Sequence, residues 1–205
     1  MRYLTKNALS LLLLSLASFC FLTGMMGCTQ VTRLTQWMTP QVPNRVHTND
    51  TLIAQLRANP AKKHQLHLTI SVLTQQGSLI SNGEQVVSFP VSTGMIGHST
   101  PYGHFSIYNK ERENKSSLYG SIYDAKGHLV NKAADSRKNR IPTGGRFEGA
   151  SMPYTMHFSG YCALHQGFVP YPPRKASHGC IRLTPDVAAL LFELCPIGTS
   201  VDVTY

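Results

Sequence analysis

Ser177-His178-Gly179-Cys180-Ile181-Arg182-Leu183, near the C-terminus, sets the terms on which the rest of the chain is read. One cysteine stands between a glycine and a β-branched residue, with a histidine two positions before it. A second histidine, His165, lies upstream across a loop carrying Tyr171, Pro172 and Pro173. A thiol becomes a useful nucleophile when a base takes its proton and backbone N–H groups face the developing negative charge. Glycine just before the cysteine lets the backbone turn sharply, so that the Gly179 and Cys180 amides point at such an oxyanion. On position alone, either His165 or His178 serves as the base.

Working outward, Ile181-Arg182-Leu183 reads as a short strand end and Thr184-Pro185-Asp186 as a helix start, with Thr at the N-cap and Pro in the first turn. Val187, Leu190, Leu191 and Leu194 share one helical face, and Pro196 and Gly198 stop the helix. Val201-Asp202-Val203 closes the chain as a strand. Upstream, Tyr161 to His165 is a short apolar strand, preceded by Met152 to Phe158. Leu66, Leu68, Ile70 and Val72 alternate with His67, Thr69 and Ser71, the period of a half-buried strand. Gln75 to Ser78 and Ser81-Asn82-Gly83 read as turns, and Val86 to Val91 as a strand with an edge or bulge at Pro90. His104 to Tyr108 alternates again. Residues 109–149 are too polar for core and read as a long mobile excursion, either a lid or a solvated insertion. The expectation is about seven strands, one good helix and a mainly β domain.

The first 27 residues have another character. Arg2 and Lys6 precede an apolar run from Ala8 to Gly24, the shape of an export signal. Gly27-Cys28 at its end resembles a bacterial lipobox, which implies lipid on Cys28 and anchoring without a spanning helix. Simple cleaved secretion and an uncleaved anchor are the alternatives. Thr29 offers no acidic retention signal, so in a two-membrane bacterium a lipidated form is expected at the outer membrane rather than the inner. Residues 28–63 are polar and broken by Pro40 and Pro43, a tether in which Asn49-Asp50-Thr51 caps a short helix over Leu52, Ile53 and Leu56.

The cysteine segment, with what surrounds it, resembles the L,D-transpeptidase catalytic domain, the YkuD family. The family signature of a His, a spacer and Ser/Thr-His-Gly-Cys matches His165-Gln166-Gly167 and Ser177 to Cys180. Phe89 to Gly94, then Thr100-Pro101-Tyr102-Gly103-His104-Phe105, look like the family's strand and TPxGxF turn, and Met152-Pro153-Tyr154 and Gly198 to Val203 also fit. The resemblance covers residues 64–205. It implies a β-sandwich with one or two short helices, Cys180 as nucleophile and His165 as proton donor and acceptor. It makes Ser177, His178, Gly179 and Gln166 the residues that shape the site, the Gln166 carbonyl orienting His165. Arg182 and Tyr154 become substrate contacts. The implied substrates are peptidoglycan stem peptides and the implied place is the cell envelope, in a monomer.

Other classes are weaker. His165, His178 and Cys180, with or without His157, are a poor match to zinc spacing, so no metal or cofactor is expected. The formal charge of +9 favours anionic surroundings, but no recognition helix or aromatic-basic motif points to nucleic acid. An L,D-carboxypeptidase or other hydrolase with the same nucleophile, and an inactive wall-binding lipoprotein, remain as alternatives. Of five cysteines, Cys162 and Cys195 either pair or stay as two buried thiols.

Overall fold

The computed structural model describes residues 45–205. The expected export signal, Cys28 and residues 29–44 of the expected tether lie outside the described residues. Strand alternation builds the body. β2 (Leu66–Ser71) buries Leu66, Leu68 and Ile70 and turns the residues between them outward. The Asn82-Gly83 hairpin joins β3 (Gln76–Ser81) to β4 (Glu84–Pro90). With β1 (His47–Thr48), β5 (Gly103–Ser106) and β13 (Ser200–Thr204), these form a six-stranded sheet ordered β1-β4-β3-β2-β13-β5. β13 runs parallel to β2 and antiparallel to β5, so the chain's last strand sits inside the sheet. β1 pairs only with Val87 and Ser88, leaving Pro90 clear of that edge.

A second sheet carries the site. Its order is β12 (Ile181–Leu183), β11 (Cys162–Gln166), β10 (Thr155–Ser159) and β6 (Asn109–Glu111). Leu68, Ile70, Val201 and Val203 of the first sheet join Met156, Phe158, Leu164, Ile181 and Leu183 of the second in one hydrophobic cluster. Helix α2 (Pro185–Leu194) adds Val187, Ala188, Leu191 and Leu194 to it. Thr184 stands at the α2 N-cap, but its side chain makes no capping bond; its carbonyl accepts from Ala188 N instead. At the other end the Lys110 ammonium donates to the Phe192 and Cys195 carbonyls at 2.5 and 2.6 Å, where a cation suits the helix dipole.

The helix expected in the tether, α1 (Asp50–Ala58), is capped by the Asn49 side chain, which accepts from Leu52 N at 3.1 Å. Ile53 and Leu56 enter the core cluster, so the compact body begins ahead of His64. The turn expected over Gln75 to Ser78 falls earlier, at residues 72–75, and β3 already starts at Gln76.

The polar excursion is a third sheet, not a loose loop. β7 (Lys115–Tyr123) is flanked by β8 (Leu129–Asp135) and β9 (Arg146–Ser151), antiparallel to both. Ile122 and Ala134 are its buried apolar residues, and neither belongs to the main core. With it, thirteen strands are described where about seven were expected. Among the described residues no helix is long and apolar enough to cross a membrane.

Candidate active site

Parallel pairing of β11 with β12 sets His165 opposite Arg182 and Leu164 opposite Ile181. One step back along the same register brings Cys180 beside Ala163. Leu164, Ile181 and Leu183 face the core, so the alternating positions His165 and Arg182 face the other way, onto an open cleft of about 780 Å³. Cys180, His178, Ser177, Gln166, Arg182 and His165 all line this cleft. Tyr154 does not: its ring packs against Phe192, 5.7 Å between centroids, on the helix side.

The loop before Cys180 is held by a web of buried hydrogen bonds. Ser177 Oγ donates to the Cys180 carbonyl at 2.5 Å and accepts from Gly179 N at 3.1 Å. Thr100 Oγ1 donates to the Gly179 carbonyl at 2.8 Å and accepts from Gly94 N at 2.9 Å. Gly179 has φ of +116°, a conformation that glycine adopts without steric cost. Gly94 lets two backbones meet, since a Cβ there would sit 1.8 Å from the His98 carbonyl. Behind it, the buried Gln75 amide grips Thr93 at both ends, accepting from its N–H at 2.9 Å and donating to its hydroxyl at 2.7 Å. Thr93 in turn accepts from the Ala176 and Ser177 amides. Of the two amides expected as oxyanion donors, Gly179 is engaged with Ser177. The Cys180 amide has no hydrogen bond among the described residues.

Electrostatics keep both candidate catalytic groups neutral. His165 Nδ1 lies 2.7 Å from the Gln166 carbonyl and donates to it, which fixes the tautomer and leaves Nε2 as acceptor. Burial, with smaller contributions from Arg182 and His157, pushes the imidazole down to about 4 against the Gln166 hydrogen bond. Burial likewise raises the Cys180 thiol, while a backbone hydrogen bond with Ala163 and the Arg182 charge oppose the rise. The resting pair is therefore thiol and imidazole rather than thiolate and imidazolium.

The third sheet meets the catalytic loop through aromatic contacts. The Tyr119 ring stacks on His178 at 4.2 Å, and His98 meets His178 edge-on at 4.7 Å. Arg137 donates to Tyr119 Oη at 2.9 Å and is itself held by Asp135, whose carboxyl it pulls down to about 2. His98 thus packs against both Tyr119 and His178. Thr100, Gln75, Tyr119 and Arg137 carry no local sequence signal beyond turn or polar residue, because their partners lie far away in sequence. Among the described residues Cys162, Cys180 and Cys195 form no disulfide; burial raises Cys162 to about 11 and Cys195 to about 12. Among the described residues no group of three or more His, Cys, Asp or Glu is placed to hold a metal ion.

The model of the L,D-transpeptidase catalytic domain, YkuD, matches residues 65–203. The chain belongs to this family. L,D-transpeptidase 1 of Mycobacterium tuberculosis is 27% identical over 125 residues, 60% of this chain and 43% of that protein. The chain thus spans less than half the length of the curated relatives it matches. Among solved structures, an L,D-transpeptidase in complex with imipenem has a TM-score of 0.51 at 24% identity, covering 68% of this chain and 59% of its own. An L,D-transpeptidase from Stackebrandtia nassauensis has a TM-score of 0.51 at 21% identity, covering 75% and 64%. The mainly β architecture with few short helices is the L,D-transpeptidase fold.

Proposed function

We propose that this chain is a cysteine-dependent L,D-transpeptidase acting on peptidoglycan stem peptides. The observation that carries the reading is the tautomer of His165. With Nδ1 bound to Gln166 O and the ring neutral down to about pH 4, Nε2 is free to take a proton in the cleft that Cys180 shares. His165 removes the Cys180 proton as sulfur attacks the peptide carbonyl of a diamino acid in the stem. The Cys180 amide faces the oxyanion, with Gly179 joining if Ser177 releases it. Collapse breaks the peptide bond, His165 returns the proton to the leaving amine, and D-alanine departs. An amine acceptor then attacks the thioester, loses a proton to His165 and regenerates the thiol. Water as acceptor gives carboxypeptidase activity instead. Arg182, on the cleft floor beside His165, is placed to meet a substrate carboxylate.

The test is incubation of the purified protein with tetrapeptide-stem muropeptides. Cross-linked dimers with released D-alanine support transpeptidation. Tripeptide products alone make the enzyme a hydrolase, and unchanged substrate leaves a wall-binding role. By likeness to the relative solved with imipenem, Cys180 is expected to take up a carbapenem covalently. An envelope location with lipid on Cys28 belongs to the same proposal; labelled palmitate should enter the wild-type chain and not Cys28→Ser.

A further inference from the structure

The cleft is charged unevenly. Lys115, Arg137 and Arg182 line it, and among the described residues Glu111 is the only carboxylate that does. Register explains the placement. Thr155 pairs with Glu111 across β10 and β6, and His165 pairs with Arg182 across β11 and β12. Met156 pairs with Leu164, so one further step sets Thr155 beside His165. Arg182, His165, Thr155 and Glu111 therefore form one row across the sheet. At about 4.8 Å per strand, the Arg182 and Glu111 backbones stand roughly 14 Å apart with His165 between them.

The neighbouring row holds Cys180, Ala163, His157 and Asn109. Glu111 leans toward it. Glu111 Oε1 lies 3.3 Å from His157 Nε2 and accepts from Asn109 Nδ2 at 3.1 Å. Its other oxygen carries no hydrogen bond among the described residues, and the side chain is 42% exposed. Tyr108, its hydroxyl tied to the Gly160 carbonyl at 2.6 Å, closes the wall beside His157. In the row between Cys180 and Glu111's anchor, Ala163 is fully buried beneath the cleft and His157 lines it.

We infer that Glu111, positioned by Asn109 and His157, binds the ω-ammonium of the diamino acid whose carbonyl Cys180 attacks. The inference rests on the proposed donor chemistry. An extended four-carbon side chain carries its nitrogen about 6–7 Å from the backbone carbonyl. Adding the hydrogen-bond length spans the roughly 10 Å of two strand spacings that separate the Cys180 strand from Glu111's anchor on His157. An acceptor's attacking nitrogen has to reach the thioester itself and is too close to Cys180 to reach this carboxylate. An ammonium against a half-exposed carboxylate in a cleft makes a charge-assisted bond, so Glu111 distinguishes a charged donor from a neutral one.

The test compares a tetrapeptide donor with its ω-N-acetylated counterpart, in wild type and Glu111→Gln, by the rate of D-alanine release. Wild type should favour the charged donor by about tenfold in kcat/KM. Glu111→Gln should lose that preference through the charged donor alone, and Glu111→Asp should regain part of it. Equal loss on both donors, or no loss on either, overturns the inference. So does a loss that appears only when acceptor amine is limiting, which would assign the site to the acceptor. Wild type silent on both donors refutes the proposed reaction. Binding then decides separately: the Cys180→Ala chain should bind the charged peptide more tightly than the acetylated one, and Glu111→Gln in that background should abolish the difference. Equal affinities in the Cys180→Ala chain overturn the inference even if the reaction stands.

Discussion

Thr100→Val should both destabilise the protein and slow it. The Thr100 hydroxyl is buried and has two partners, accepting from Gly94 N and donating to the Gly179 carbonyl. Valine keeps the shape and removes both bonds, leaving a buried donor and a buried acceptor unpaired. Each such group costs about 1–3 kcal/mol, so the pair amounts to about 3 kcal/mol once the added methyl packing is set against it. In a domain of this size that lowers Tm by about 6–12 °C. The same change frees the carbonyl that fixes Gly179, whose positive φ aims the Cys180 amide. Loss of that aim should reduce kcat by about tenfold or more, with KM changing less. Thermal denaturation by circular dichroism and steady-state D-alanine release measure the two effects, and Thr100→Ser, which keeps the hydroxyl, should stay near wild type on both. A Thr100→Val protein with wild-type Tm and kcat would refute the clamp.

Three further substitutions or conditions probe other parts of the same framework. Gly94→Ala drives a methyl into the His98 carbonyl, so it should cost more than about 2 kcal/mol and give little folded protein in a denaturant titration. For His165, the folded pKa of about 4 lies below the unfolded value of 6.5, so the unfolded chain binds more protons between them. Stability is full above about pH 6.5 and falls by up to about 3 kcal/mol as pH drops through 4, while the acid limb of kcat/KM should sit near 4; a limb near 6.5 would contradict a buried neutral base. Lys110→Met removes the ammonium from the α2 C-terminus and should lower stability by about 1 kcal/mol, seen as a shifted urea midpoint at unchanged m-value.

What the sequence disclosed followed local period and local chemistry. Leu66 to Ile70 alternate because one face of β2 is core and the other is not. Asn49 caps α1 through its own third-residue neighbour, and the α2 face repeats at helical spacing. The Ser-His-Gly-Cys segment is contiguous, so its parts were visible together. The third sheet was hidden for the opposite reason. Most β7, β8 and β9 residues are at least partly exposed, so no alternation marks them. Thr100 reaches Gly179 across 79 residues and Gln75 reaches Thr93 across 18, distances at which turn propensity says nothing about a partner. Tyr154 looked like a cleft residue from its place after Met152-Pro153. Its φ of +56° goes with a ring packed on Phe192 instead.

The central claim is that Cys180 is the sulfur that carries the acyl group. Intact-mass measurement after imipenem treatment, followed by peptide mapping, tests it most directly. One adduct per chain is expected, on the peptide containing Cys180, absent from Cys180→Ala and formed slowly in His165→Gln. A folded wild-type protein that takes up no imipenem, or carries it on Cys162 or Cys195, would contradict it.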